Sequence, residues 1–68
     1  MNRTYVKVVR DELGDSVSGP YGYVDGYLMA DAGYAVAIVV DISNGFIKQF
    51  PLNRLIVVSK NVAERGGA

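Results

Sequence analysis

Cysteine and histidine are both missing from this 68-residue chain. Without cysteine there is no disulfide and no thiolate zinc site, and without histidine the commonest metal ligand and general base is gone. Net charge is missing too, because seven basic residues balance seven acidic ones. Domains that work mainly by neutralising phosphates are normally basic, so a nucleic-acid partner is disfavoured. No apolar run approaches the roughly 20 residues of a spanning helix, and Met1-Asn2-Arg3-Thr4 carries no apolar signal stretch. The expectation is a soluble, cytoplasmic protein with no membrane partner and no metal site. A chain this short buries only about 60% of the surface its unfolded form exposes, and small domains offset the shortfall with disulfides, metals or partner subunits. Association is the device left to it.

What is present alternates at the period of strands. Residues 4–9 place Val6 and Val8 on one face and Lys7 on the other. Residues 10–20 hold glycines and serines without periodicity and read as a long surface loop. Its acids Asp11, Glu12 and Asp15 lack calcium-loop spacing and read as solvated. Residues 21–28 form a second strand interrupted by Gly22 and Gly26, and such glycines mark a bulge, a bend or a close backbone approach. A turn over residues 29–33 leads to a strand over 34–40 that is apolar on both faces. Asn44-Gly45 is a hairpin signal, followed by strands over 45–50 and 55–58. Between these two, Pro51 lacks an amide hydrogen, so it ends pairing at Phe50 and opens a one-turn corner over 51–54. This order predicts an all-β fold, a small five-stranded SH3-like barrel over residues 1–59, with no helix beyond the corner. Residues 60–68 are polar, end in Gly66-Gly67-Ala68 and read as a flexible tail. The expected core combines Val6, Val8, Val24, Leu28 and Val36 with Ile38, Ile47, Leu55 and Val57.

Three features could carry function. Ala35, Ala37 and Val39 form the second apolar face of the 34–40 strand. Either a subunit or partner covers that face, or one barrel covers both. Tyr21, Tyr23 and Tyr27 are placed on one face as an aromatic row, a binding surface or a cover for the barrel exterior. Base stacking is the weakest reading of that row, because few cations interleave with the rings in sequence. Lys48 and Gln49, between Ile47 and Phe50, point to opposite faces, so in an oligomer one of them would line a seam. No Ser-His-Asp set or phosphate-cradling loop occurs, and no carboxylate or tyrosine is singled out as catalytic.

Gly22-Tyr23-Val24-Asp25-Gly26-Tyr27, then Gly33-Tyr34-Ala35-Val36, then Ile47-Lys48-Gln49-Phe50-Pro51-Leu52 and Leu55 resemble the plasmid-borne type II dihydrofolate reductases. The resemblance implies a short SH3-like barrel, a tetramer around one pore, and NADPH and dihydrofolate as its ligands. It also implies a chain that travels on mobile genetic elements or phage. That family lines its pore with Val-Gln-Ile-Tyr before the proline, and the matching positions here are Ile47, Lys48, Gln49 and Phe50. Lysine thus stands where the family contacts both ligands, phenylalanine where it hydrogen-bonds, and its interface tryptophan has no counterpart. The reading is therefore a non-enzymatic binding module, a homo-oligomer with a possible protein partner and no cofactor. The alternatives are a diverged NADPH-dependent pore reductase and a KOW-like module associated with nucleic acid, ribosome or polymerase.

Overall fold

The computed structural model describes residues 2–67, so Met1 and Ala68, the outer ends of the expected barrel and tail, lie outside the described residues. Five strands form one antiparallel sheet: β1 (Tyr5–Val8), β2 (Tyr21–Met29), β3 (Ala35–Asp41), β4 (Ile47–Pro51) and β5 (Leu55–Val58). They lie in the order β4-β3-β2-β1-β5, and the outer strands β4 and β5 each pair with one neighbour, so the sheet is not closed. A 3-10 turn over Leu52–Arg54 links β4 to β5, and one short helix, α1 (Lys60–Gly67), follows. Pairing runs one residue further than expected, since Pro51 is still opposite Val36. An edge strand tolerates proline because one side of its backbone has no ladder to complete.

The turns form where turn chemistry requires them. At the β3–β4 turn Asp41 Oδ1 accepts from the Ser43 amide (2.8 Å), Asn44 Oδ1 accepts from the Phe46 amide (2.9 Å), and Gly45 has φ +75°. Between β2 and β3 the Ala30 amide donates to the Tyr34 carbonyl (2.9 Å), with Gly33 at φ +88°. Positive φ costs glycine nothing and other residues dearly.

Cross-strand partners share a face, and the register corrects the expected core. Val6 and Val8 of β1, Ala37 and Val39 of β3 and Phe50 of β4 make the buried cluster, with Val24 and Leu55 packed against it. β3 is therefore turned over relative to expectation. Its alanine face points inward, with Ala37 opposite Phe50 and wholly buried at 0% exposure. Packing explains the choice: small side chains on one strand leave room for the Phe50 ring in a tightly curled sheet. Val36, Ile38 and Val40 then face outward in three cross-strand rows, Leu28–Val36–Pro51, Gly26–Ile38–Gln49 and Tyr23–Val40–Ile47. Val36 is still buried there, whereas Leu28 and Ile47, expected in the core, are exposed. Val57 lies opposite Val6 but on the edge strand β5, and it is 74% exposed.

The register of β2 slips between Val24 and Gly26. Gly22, four residues earlier, is buried directly against β3, where a Cβ would lie 2.5 Å from Val39 Cγ1 and 2.5 Å from the Val40 carbonyl oxygen.

The C-terminal segment is a second correction. In place of a loose tail there is a helix, α1, preceded by Ser59, whose Oγ accepts from the Val62 amide (3.2 Å) and whose carbonyl accepts from the Ala63 amide (3.0 Å). A serine in this place satisfies amides that the first helical turn leaves without partners. The helix packs on β1 and β2, burying Ala63 completely, and Gly66 sits so close to the Tyr21 ring that a Cβ would overlap it. An eight-residue helix is held by such packing rather than by propensity. Among the described residues no helix is long and apolar enough to cross a membrane.

Candidate functional site

The long loop between β1 and β2 is tied down. Asp11 Oδ1 accepts from the amides of Leu13 and Asp15, both at 2.9 Å, and Gly14 takes φ +86° at the tip. Arg10 bridges Ser16, and the returning chain donates from Val17 to the Val9 carbonyl (3.0 Å) and from Gly19 to the Val8 carbonyl (2.9 Å). Arg54, from the 3-10 turn, clamps the loop to the core. Its Nε donates to the Arg10 carbonyl (3.0 Å), and its guanidinium lies 5.0 Å from the centre of the Phe50 ring.

Two grooves meet at Arg54. The first, about 460 Å³, has Arg10, Asp11 and Glu12 on one wall, Tyr34 and Ala35 at the start of β3, Pro51 and Leu52 from the corner, and Arg54 between them, so its two carboxylates are matched by two guanidinium groups. Tyr34 and Leu52 are both exposed, so the groove offers apolar surface beside two carboxylates. The second, about 720 Å³, runs along the free edge of β4, with Lys48, Gln49 and Phe50 facing Val17 and Pro20, and it shares Asp11, Glu12 and Arg54 with the first. Chemically these walls suit an extended chain. Glu12 can meet a cationic side chain where Arg10 and Arg54 leave room, the tyrosine and leucine take an apolar one, and the unpaired backbone of β4 can hydrogen-bond.

A third depression of about 930 Å³ lies between residues 2–5 and β5, with Arg3, Tyr23 and Asp25 on its walls. Arg3 is already engaged there, 4.0 Å from the centre of the Tyr23 ring.

The residues singled out from sequence are distributed unevenly over this surface. Lys48, Gln49 and Phe50 do line the second groove, but Lys48 lies opposite Val39 on the inner face and Gln49 opposite Ile38 on the outer one. Phe50 is a core residue that forms the floor. The tyrosine row is broken. Tyr21 and Tyr23 share the outer face, but the bulge puts Tyr27 opposite Ala37, on the other face. Cations do meet the rings: Arg3 stacks on Tyr23, and Lys7 Nζ sits 5.4 Å from the Tyr21 ring centre. These are contacts across and beside β1, invisible in linear order. Tyr5 adds an edge-on contact to Tyr23 at 6.3 Å, and α1 covers Tyr21, so both rings are occupied within the chain. The expected interface face is likewise internal, with Ala37 and Val39 in the core and Ala35 half-buried at the first groove.

Tyr34, Leu52 and Arg54 were missed as site residues. Tyr34 was assigned to the apolar strand and the other two to the corner, and no spacing links positions 18 or more residues apart, as Tyr34 and Leu52 are. No polar or charged residue is buried among the described residues, and these contain no group of three or more carboxylates placed to hold a metal ion. Comparison with protein-family models, curated proteins and solved structures finds no match to this chain.

Proposed function

We propose that this chain is a non-enzymatic, self-associating binding module with SH3-like barrel architecture, and that its first groove takes an extended peptide bearing a basic residue. The strand order supports the barrel assignment. A long loop follows β1, β2 bends at a bulge to serve both halves of the sheet, and a 3-10 turn delivers β5 back to β1. The observation that carries the binding reading is the convergence of Glu12, Tyr34 and Leu52, from three separate elements, on one groove. An exposed tyrosine and leucine beside carboxylates is the composition of a recognition site. All the titratable side chains described lie at or near the surface, which favours recognition over sequestered acid–base chemistry.

The NADPH-dependent reductase reading needs Lys48 and Gln49 to line one pore together. The pore positions have changed, with lysine at 48 and phenylalanine at 50 where the family has glutamine and tyrosine, and Phe50 is buried in the core, which weighs against it. The KOW-like reading is disfavoured by the zero net charge, and the Tyr21–Tyr23 surface is already taken by Arg3, Lys7 and α1.

Titration with a proline-rich peptide flanked by arginines, followed by tyrosine fluorescence or backbone amide shifts, tests the proposal. Binding should weaken with salt, because part of the attraction is between exposed charges, and Tyr34→Ala should weaken it about tenfold, as truncating a central aromatic anchor does. The same peptide with glutamates in place of arginines should not bind. Equal binding of both peptides, or NADPH-dependent reduction of dihydrofolate by the purified protein, would overturn it.

A further inference from the structure

We infer that two copies of this chain join through the free edge of β5, pairing antiparallel about a two-fold axis at Val57. The inference rests on the self-association proposed above, gives it a surface, and is independent of the peptide groove.

The sheet has two free edges, and the chain protects only one of them. Edge strands invite pairing with other chains, and lysine, proline or a bulge normally blunts them. β4 carries Lys48 and Pro51, and the β1–β2 loop stands beside it across the second groove. β5 reads Leu55-Ile56-Val57-Val58, with no charge, no proline and no register shift against β1. α1 packs on β1 and β2 and leaves this edge open. Ile56 and Val57, on opposite faces of β5, are 48% and 74% exposed.

The backbone groups at that edge select its occupant. The Val9 amide bonds to the Arg54 carbonyl (2.9 Å), which fixes the phase of the β1–β5 ladder. Bonded and unbonded pairs alternate in antiparallel strands. Ile56 and Val58 therefore turn their backbone groups toward β1, and Leu55, Val57 and Ser59 turn theirs outward. Two of the outward groups are used within the chain: the Leu55 amide donates to the Leu52 carbonyl, and the Ser59 carbonyl accepts from the Ala63 amide (3.0 Å). The Leu55 carbonyl, both groups of Val57 and the Ser59 amide remain, and none of them bonds elsewhere among the described residues. The Ser59 amide has no capping-box partner either, because Val62 stands where a glutamate or glutamine would reach back.

A second β5 satisfies these groups and leaves none over. With Val57 opposite the other copy's Val57, each amide donates to the other's carbonyl. Leu55 then lies opposite the other copy's Ser59, whose free amide meets the free Leu55 carbonyl. The two groups already used fall opposite each other. An unrelated strand would bring a carbonyl against the occupied Leu55 amide and leave it unpaired, which is costly at a dry interface. The side chains agree with this register. Val57 meets Val57 on one face, Ile56 meets Val58 on the other, and no like charges are brought together. The register is its own two-fold image, as a closed dimer requires.

Size sets the strength. The edge from Leu55 to Ser59 is about 17 Å long and, with side chains on both faces, about 10 Å deep. That is well below the about 800 Å² per partner typical of stable complexes. The dimer is therefore weak, forming at high concentration and dissolving on dilution.

Sedimentation equilibrium from low micromolar to near-millimolar protein should show the mass rising from one chain toward two and no further. Over the same range, amide exchange at Val57 and Ser59 should slow several-fold in the wild type. Val57→Lys sets two cations opposite each other, so it should hold the mass at one chain, with an unchanged melting curve at low concentration because the side chain is exposed. Ile47→Lys, on the β4 edge, should leave the dimer intact. A wild-type mass of one chain at every concentration would overturn both the inference and the self-association. A dimer that survives Val57→Lys, that Ile47→Lys abolishes, or in which the Val57 amide exchanges as fast as in single chains would overturn the inference alone, as would a mass that climbs past two chains. Val57 lines neither groove, so Val57→Lys should leave peptide titration unchanged, and the peptide proposal stands or falls separately.

Discussion

Gly22→Ala tests the close approach of β2 to β3. The added methyl would lie 2.5 Å from Val39 Cγ1 and 2.5 Å from the Val40 carbonyl oxygen. Nonbonded carbons settle at about 3.5–4.0 Å, so the overlap is about 1 Å or more. Val39 could relieve its share by changing rotamer, at the expense of its packing in the core. The Val40 carbonyl is main chain beside the Tyr23–Val40 pair, and it moves only if β2 moves off β3. Overpacking of this kind costs about 1–3 kcal/mol. Alanine returns about 0.5–1 kcal/mol, because glycine has more freedom to lose on folding. The net loss centres on about 1 kcal/mol and reaches about 2.5, and for a domain this small each kcal/mol lowers the melting midpoint by roughly 4–8 °C. The paired control is Gly26→Ala in the same strand, where only Ile38 Cδ1 comes within 4 Å, at 3.8 Å. At concentrations low enough to keep single chains, that variant should match the wild type or gain up to about 1 kcal/mol. Thermal and urea unfolding followed by circular dichroism measure both. Equal midpoints for the two variants would refute the assignment of Gly22 to a close approach.

The remaining predictions concern the other two corrections to the sequence reading. Ala37→Lys places a charge at a fully buried position, so it should unfold the chain at a cost on the order of 3–5 kcal/mol. A folded variant with altered mass would instead put Ala37 at a subunit interface. Gly66→Ala would gain about 1 kcal/mol from helix propensity if α1 were loosely attached. Because the methyl meets the Tyr21 ring, the expected result is a lower midpoint and easier quenching of tyrosine fluorescence.

Much of the fold is legible in the sequence because strand existence depends on local pattern. The β-branched runs, Asn44-Gly45 and Pro51 locate five strands and the corner to within about two residues. Which face of a strand turns inward is a different kind of fact. For β3 both faces are apolar, so hydrophobicity alone cannot choose between them. The choice is made by volume: Ala37 can lie against Phe50 inside a curled sheet, whereas the bulkier Ile38 on the opposite face cannot do so as easily. The same limit applies to the tyrosine row. Alternation holds from Tyr21 to Val24, and one extra residue at the bulge then inverts every side chain beyond it. Gly26 signalled the irregularity, but the pattern alone does not say on which side of the glycine the slip falls.

The site was less legible than the fold, and the reason lies in its construction. Asp11 and Glu12 come from a loop, Tyr34 from the start of β3 and Leu52 from the turn before β5, so only the folded chain brings them together. What holds the three elements in place is Arg54, which donates to the Arg10 carbonyl and covers the Phe50 ring. That side chain adds to the backbone bond from the Val9 amide to the Arg54 carbonyl (2.9 Å) in joining the loop to the core. Arg54→Ala should therefore do more than remove a surface charge. The loop would keep its internal hydrogen bonds, since Asp11 still accepts from Leu13 and Asp15, and the Val9 amide would still donate to the residue-54 carbonyl (2.9 Å), but it would lose the side-chain tie from Arg10 to the turn. Amide exchange should then quicken around residues 10–16 and 52–54 while β2 and β3 stay protected, and peptide affinity should fall although residue 54 need not touch the peptide. If exchange in the loop is unchanged by the substitution, Arg54 is not the anchor, and the walls of the groove are set by the strands alone.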